Sequence, residues 1–266
     1  MVRRPLLLTY GVLCYTLSLA TFLYAVGFIG GFLTPTQLDD PARGSLAAAL
    51  AIDGGLLALF ALQHSGMARP RFKRWLTRFV PEPAERSTYV LLSSAALLVL
   101  FWQWRPLGGV VWDVSGAAAR AAVAALFAAG WLTVLGTTFL IDHFDLFGLR
   151  QVWLALRQAP YTPLGFTTPG PYRVVRHPLY VGWLTVFWAA PTMTAAHLLF
   201  AVGMTAYILA AIRWEERDLV AAHPEYAAYR RRVPMLLPRV RVGPVTPAAG
   251  ETGLIPAPAS GASPAR

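Results

Sequence analysis

Cysteine is all but missing from this 266-residue chain, in which Cys14 stands alone. No intrachain disulfide can form, and no cysteine-based zinc site can be built. Charge is scarce too, at 14% of residues, and acidic groups are rarer than basic ones, 13 against 23. There is no Gly-x-Ser-x-Gly elbow and no Walker loop, which argues against hydrolase and phosphoryl-transfer chemistry. His-x-x-x-His and His-Glu-x-x-His pairs are absent as well, so no metal site is expected despite three inner-side histidines. A Gly-rich strand–helix turn of the Rossmann kind is also missing.

What is abundant is apolar surface. Hydrophobic residues make up 56% of the chain, and the mean hydropathy is positive. The apolar runs are too long and too many for one soluble core, so a lipid bilayer has to act as their solvent. A net charge of +10 raises nucleic acid as a partner. The arginines, however, gather in loops flanking the apolar runs, where they set topology, and no nucleic-acid partner is expected.

Taken in order, residues 6–33 form a first span, too long for a signal-peptide core and followed by a poor cleavage sequence, so a retained anchor is expected. Residues 46–63 form a second span, with Asp53 inside it in a helix-packing role. The loop holding Arg69, Arg71, Lys73, Arg74, Arg78 and Arg86 is the strongest positive cluster between spans and is expected to be cytoplasmic. Residues 89–104 and 118–141 supply two more spans. Residues 149–158 suggest a short surface helix, and the prolines from Pro160 to Pro171 make the following stretch irregular. A hairpin follows, 179–190 and 195–212, whose first arm is short enough to cross incompletely or tilt. Residues 216–230 read as a cytoplasmic helix broken at His223-Pro224. The expectation is an all-α, polytopic integral membrane helical bundle of five to six spans. It forms one domain over residues 1–240, with a disordered tail over 241–266. Both termini are expected in the cytoplasm.

That topology gathers polar groups at one end of the bundle. Gln63 and His64 close the second span, and Asp142, His143 and Asp145 close the fourth. Arg176-His177-Pro178-Leu179-Tyr180-Val181-Gly182 opens the hairpin, and Arg213-Trp214-Glu215-Glu216 closes it. Ionisable groups at such a depth are costly and mark a functional site by default. Pro178 suits a first helical turn, and Gly182 admits a backbone or a ligand at close range.

The ordered set Arg-His-Pro-x-Tyr-x-Gly, hydrophobic hairpin, Glu-Glu-x-x-Leu, Tyr226-x-x-Tyr229 and Val233-Pro234 resembles the membrane methyltransferases related to isoprenylcysteine carboxyl methyltransferase. Gln63-His64-Ser65 with Met67 to Lys73, and Asp142 to Gln151, are similar to the branch that holds methanethiol S-methyltransferase and the NnrU-like proteins. Residues 191–198 lean towards the methanethiol members. The resemblance implies S-adenosylmethionine as cofactor, held by residues 172–238 in a non-Rossmann pocket formed by the hairpin and the cytoplasmic helix. It implies contacts at His177, Tyr180, Gly182 and Glu216. It also implies a bacterial inner-membrane enzyme that methylates a small volatile thiol, methanethiol, to dimethyl sulfide. Methylation of an isoprenylcysteine or a phospholipid is the alternative within the family, and an NnrU-like accessory role in nitrogen-oxide metabolism is the alternative of another class.

The residue types suit that cofactor. Glu215 and Glu216 can accept from its amino and hydroxyl groups, while Arg176, Arg213 or the helix N-terminus at Pro178 can meet its carboxylate. Aromatic faces favour a sulfonium, and Tyr180, Tyr226 and Tyr229 are at hand. The rival roles are an interfacial aromatic belt for Tyr180 and helix packing for Tyr226 and Tyr229. A thiol attacks as thiolate, so His143 or His64 is a candidate base, each with the alternative of a histidine bonded between helices. Asp145 either orients such a histidine or caps a helix.

Overall fold

Uninterrupted apolar runs become five long helices in the computed structural model, which describes residues 3–42 and 44–238. They are α1 (Arg3–Gly30), α2 (Leu46–Met67), α4 (Glu85–Gln103), α5 (Ala117–Ile141) and α9 (Ala195–Ala222). Each is long and apolar enough to cross a bilayer. Short helices join them: α3 (Pro70–Leu76), α6 (His143–Leu146), α7 (Leu149–Arg157), α8 (Pro178–Trp188) and α10 (Tyr226–Arg232). Large apolar side chains such as Leu62 and Leu132 stay 74% and 70% exposed on the long helices, which suits a lipid-facing surface and not a watery one. The chain is thus a multi-pass helical membrane protein. The expected tail over 241–266 lies outside the described residues.

Local chemistry sets several boundaries. Ser45 caps α2 by accepting the Ala48 N–H, and Thr194 caps α9 by accepting that of His197. Proline occupies the first turn of α3 and of α8. Asp142 leaves α5 in the left-handed region at φ 97° and caps α6 with its side chain. Two expected boundaries move. The second span runs on to Met67, carrying His64 inside the helix, and the last runs on to Ala222. Glu215 and Glu216 therefore sit within one continuous 28-residue helix, not at the start of a separate one.

α8 has only 11 residues and rises about 16 Å, roughly half a bilayer core. Its far end nevertheless reaches the same layer as the α4–α5 loop, because two short strands pair there. β1 (Val110–Asp113) and β2 (Thr192–Thr194) run antiparallel, with Trp112 opposite Met193. Asp39, from the α1–α2 loop, accepts from Thr194 and pairs with buried His197 at 2.8 Å. The other ring nitrogen of His197 donates to the Phe187 carbonyl at 3.1 Å. Deeper in the bundle, Asp53 is fully buried and accepts the Arg105 N–H at 2.9 Å, tying α2 to the end of α4. The α8–α9 hairpin is thus pinned at its turn, and its open end delivers His177 and Glu216 to the opposite side of the bundle.

Lipid tails are as apolar as leucine, so helices here associate through close packing and polar ties. A close backbone approach joins α5 to α8. A Cβ on Gly182 would lie 2.9 Å from the Val134 nitrogen and 3.0 Å from the Gly130 carbonyl. A Cβ on Gly130 would meet Val186 and the Gly182 carbonyl in the same way. The opening at Gly182 is therefore filled by the α5 backbone. Gly182→Ala is expected to push α8 off α5 and to cost about 1–3 kcal/mol. Thermal unfolding of the detergent-solubilised variant measures this, and an unchanged midpoint would contradict so close a crossing.

Candidate active site

Glu216 is the hub at the open end of the hairpin. It is 8% exposed and accepts from Arg176 Nε at 2.7 Å, His177 Nε2 at 3.0 Å and the Tyr226 hydroxyl at 3.4 Å. Arg230 stands 3.8 Å from its other oxygen. Neighbouring Glu215 accepts from the Tyr180 hydroxyl at 2.8 Å. A buried carboxylate of this kind persists only when cations and donors surround it. Arg176 Nη1 also donates to the carbonyls of Arg230 and Val233, and the backbone N–H groups of Arg176 and His177 donate to Pro234 and Met235. The Val233-Pro234 stretch is thus a strap that closes α10 back over the hairpin. Tyr229 donates to the Tyr172 carbonyl, and Phe166 packs edge-on against both Tyr226 and Tyr229. Burial pushes the Tyr226 and Tyr229 phenols above their ordinary range, so both remain protonated donors.

Ten residues expected to hold a cofactor therefore divide. Arg176, His177, Tyr180, Glu215, Glu216, Tyr226 and Tyr229 come together in one connected cluster. Pro178 is buried in the first turn of α8 beside it, where no side chain caps the helix N-terminus. Gly182 faces α5, as above. Arg213 is exposed and makes no hydrogen bond or ion pair among the described residues.

The three catalytic candidates also part company. His143 is buried, with Nδ1 2.8 Å from the Thr138 hydroxyl and Nε2 3.0 Å from the Tyr15 hydroxyl. Thr138 already donates to the Leu135 carbonyl at 2.7 Å, so Nδ1 carries the proton and Nε2 accepts from Tyr15. Phe139 stacks on the ring at 4.2 Å. Both ring nitrogens are thus occupied in tying α1 to the end of α5. Asp145 pairs with Arg150 at 2.8 Å and accepts from Tyr161; Thr138, not Asp145, orients His143, and Asp142 does the capping.

Burial lowers the pKa of His143 below its ordinary 6.5. The imidazole is therefore neutral when folded, and the unfolded chain binds the extra proton. Its contribution to stability is whole above pH 6.5 and is lost as the pH falls towards the folded pKa. Unfolding measured between pH 7.5 and 5 is expected to show this loss in the wild type and a shallower one in His143→Gln. Equal slopes would contradict it.

His64 has different company. Its ring stacks on Phe60, Nδ1 lies 3.1 Å from the Ser93 hydroxyl, and the Tyr89 hydroxyl lies 2.9 Å from Nε2. The Tyr89 hydroxyl is also 3.1 Å from Nδ1; since Ser93 serves that nitrogen, the Nε2 bond is the one we assign. Next to His64, Ser65 meets the Tyr207 hydroxyl at 3.1 Å. Tyr207 lies on α9, the helix that also carries Glu216 and the Glu215 to which Tyr180 donates. This connects the end of α2 to the Glu215–Glu216 cluster. Tyr89 and Tyr207 went unnoticed in the sequence, where an aromatic inside an apolar span reads as packing. The signal that could have found them is the polar residue near each, Ser93 on α4 and Ser65 on α2. Gln63 completes this corner: its amide nitrogen donates to Ser93, while its buried oxygen has no partner among the described residues.

Comparison with known proteins follows this division. A family model described as phospholipid methyltransferase matches residues 119–225, which include Arg176, His177, Tyr180, Glu215 and Glu216. Methanethiol S-methyltransferase of Crocosphaera subtropica is 57% identical over 238 residues, covering 89% of this chain and 93% of that protein. Its namesake in Mycobacterium tuberculosis is 53% identical over 89% of this chain and 98% of that protein. Human Nurim is 34% identical over 66% of this chain and 70% of its own length. No solved structure matches.

Proposed function

This chain belongs to the methanethiol S-methyltransferase family of membrane methyltransferases, and from that membership we propose that it transfers the methyl group of S-adenosylmethionine to methanethiol, giving dimethyl sulfide. The single observation that carries this reading is the Arg176–His177–Glu216 cluster at the open end of the hairpin, with Glu216 on the same helix as Tyr207, whose hydroxyl meets Ser65 beside His64.

The donor chemistry of the cluster fits the cofactor. The uncapped N-terminus of α8 and the cation of Arg176 suit its carboxylate. The second oxygen of Glu215 is a remaining acceptor for an amino or hydroxyl group, and Tyr180, Tyr226 and Tyr229 offer aromatic faces to a sulfonium. The cofactor supplies an electrophilic methyl on a good leaving group. What remains for the protein is to align the acceptor opposite that leaving group, exclude water and take a proton. We assign the proton to His64, whose imidazole would take it from the acceptor thiol. Tyr89 and Ser93 hold the imidazole in place. Both imidazoles are bonded at both nitrogens; His64 is chosen because its neighbour Ser65 meets Tyr207 of α9, the helix that carries Glu216. Tyr15 and Thr138 instead tie His143 into the α1–α5 junction, and Asp145 serves Arg150.

The phospholipid methyltransferase match covers Arg176 to Glu216 and leaves α2 and α4 outside it, so acceptor choice is assigned to the corner made by α2 and α4, including Gln63, His64 and Ser93. Arginine-rich loops support an inner-membrane orientation with both termini in the cytoplasm. A reporter inserted within residues 69–86 is expected on the cytoplasmic side and one between residues 39 and 43 outside; opposite labelling would overturn the orientation. For the activity, cells expressing the chain and fed methanethiol are expected to release dimethyl sulfide into the headspace above untransformed controls. No excess over the control would refute the reading.

A further inference from the structure

A second charged feature lies on the other side of Glu216. Arg217 and Val220 of α9, with Ala227, Arg230 and Arg231 of α10, line an open groove of about 390 Å³. Three cations thus face one cavity whose floor is apolar. Arg217 and Arg231 have no ion pair among the described residues, while the nearby acids are engaged elsewhere: Asp218 with Arg69, Glu225 near His223, Glu216 with Arg176 and His177. Such a concentration of like charge attracts an anion.

The depth of the groove indicates which anion. From the strand layer, the apolar stretch of α9 over residues 195–212 rises about 27 Å, close to the thickness of a bilayer hydrocarbon core. Arg213 and the half-exposed Trp214 follow at once, a pair that marks the boundary between lipid tails and headgroups. Arg217 comes about 6 Å further along the helix, at the level of lipid phosphates. Val220 lies about 4.5 Å beyond Arg217, away from the bilayer, so it is the level of Arg217 and not the groove's apolar wall that favours a lipid phosphate over a free one.

We propose that this groove binds the phosphodiester headgroup of an anionic phospholipid, with Arg217 and Arg231 as its principal cations and Arg230 shared with Glu216. The assignment does not depend on which acceptor is methylated. It extends the protein's contact with the membrane from a solvent for apolar helices to a specific lipid ligand.

The test uses the full chain, purified in neutral detergent, stripped of lipid and titrated with phosphatidylglycerol or phosphatidylcholine under native mass spectrometry. The wild type is expected to retain phosphatidylglycerol preferentially. The Arg217→Gln/Arg231→Gln double variant is expected to bind it roughly 30-fold more weakly, at about fivefold per arginine. Arg74→Gln/Arg78→Gln removes the same charge from the exposed α3 region and is expected to leave binding unchanged. Equal retention of the two lipids, or equal loss in the two double variants, would overturn the site in favour of diffuse attraction. Displacement of phosphatidylglycerol by millimolar inorganic phosphate would assign the groove to a soluble anion instead. Loss of S-adenosylmethionine binding by Arg217→Gln/Arg231→Gln in neutral detergent would make the groove part of the cofactor pocket and equally overturn the proposal.

Discussion

Glu216→Ala is expected to abolish S-adenosylmethionine binding and methyl transfer, and to lower the stability of the protein by about 3–5 kcal/mol. The reason is the number of groups that depend on this one carboxylate. Arg176 and His177 are nearly buried and donate to the same oxygen, at 2.7 and 3.0 Å, and Tyr226 approaches it as well. Removing the acceptor leaves a buried guanidinium without its counter-charge and frees the His177 ring at the start of α8. The strap at Val233-Pro234 loses its anchor too, because the same Arg176 donates to the Val233 carbonyl. Glu216→Gln keeps one acceptor oxygen but no charge, so an intermediate loss is expected. Calorimetric titration and thermal unfolding of the two variants in detergent give both quantities. Wild-type affinity in Glu216→Ala would remove this cluster from the cofactor site.

His64→Ala is expected to slow thiol methylation by roughly 10²–10⁴ while leaving cofactor affinity nearly unchanged, the signature of a lost general base. Raising the pH towards that of thiol ionisation is expected to recover part of the loss, since thiolate then forms unaided. His143→Ala makes the contrast. It breaks the bonds to Tyr15 and Thr138 and leaves buried hydroxyls unpaired, so it is expected to cost about 1–3 kcal/mol of stability. Its turnover per folded molecule is expected to stay close to wild type. If His143→Ala instead shows the deep, pH-recoverable loss and His64→Ala does not, the two histidines exchange roles.

Much of this arrangement was legible in the chain itself. Long apolar runs gave the bundle, and Arg-His-Pro-x-Tyr with Glu-Glu gave both ends of the hairpin, because ionisable residues beside a span are too costly to be incidental. What escaped was whatever depended on neighbours distant in sequence. Nothing local distinguishes Gly182 facing a ligand from Gly182 facing Gly130 on α5. Arg213 and Glu216 lie one turn apart on the same helix, yet only the packing of α10 shows that Glu216 is covered and Arg213 left exposed. The fusion of residues 195–222 into one helix was hidden because the polar run after Ile212 resembles a boundary, while a helix leaving a membrane needs no break. Pairing of β1 with β2 involves residues about 80 positions apart, beyond the reach of any local pattern. His143 and His64 looked alike at the ends of their spans; only their hydrogen-bond partners separate them.

The central claim is that this chain itself moves a methyl group from S-adenosylmethionine to methanethiol. The most direct measurement uses purified protein in lipid nanodiscs, methanethiol, and S-adenosylmethionine carrying a trideuterated methyl group, with the headspace read by mass spectrometry. The account predicts dimethyl sulfide heavier by three mass units, formed in step with S-adenosylhomocysteine and absent with Glu216→Ala. Label appearing in the nanodisc phospholipid instead, or no labelled sulfide at all, would contradict it.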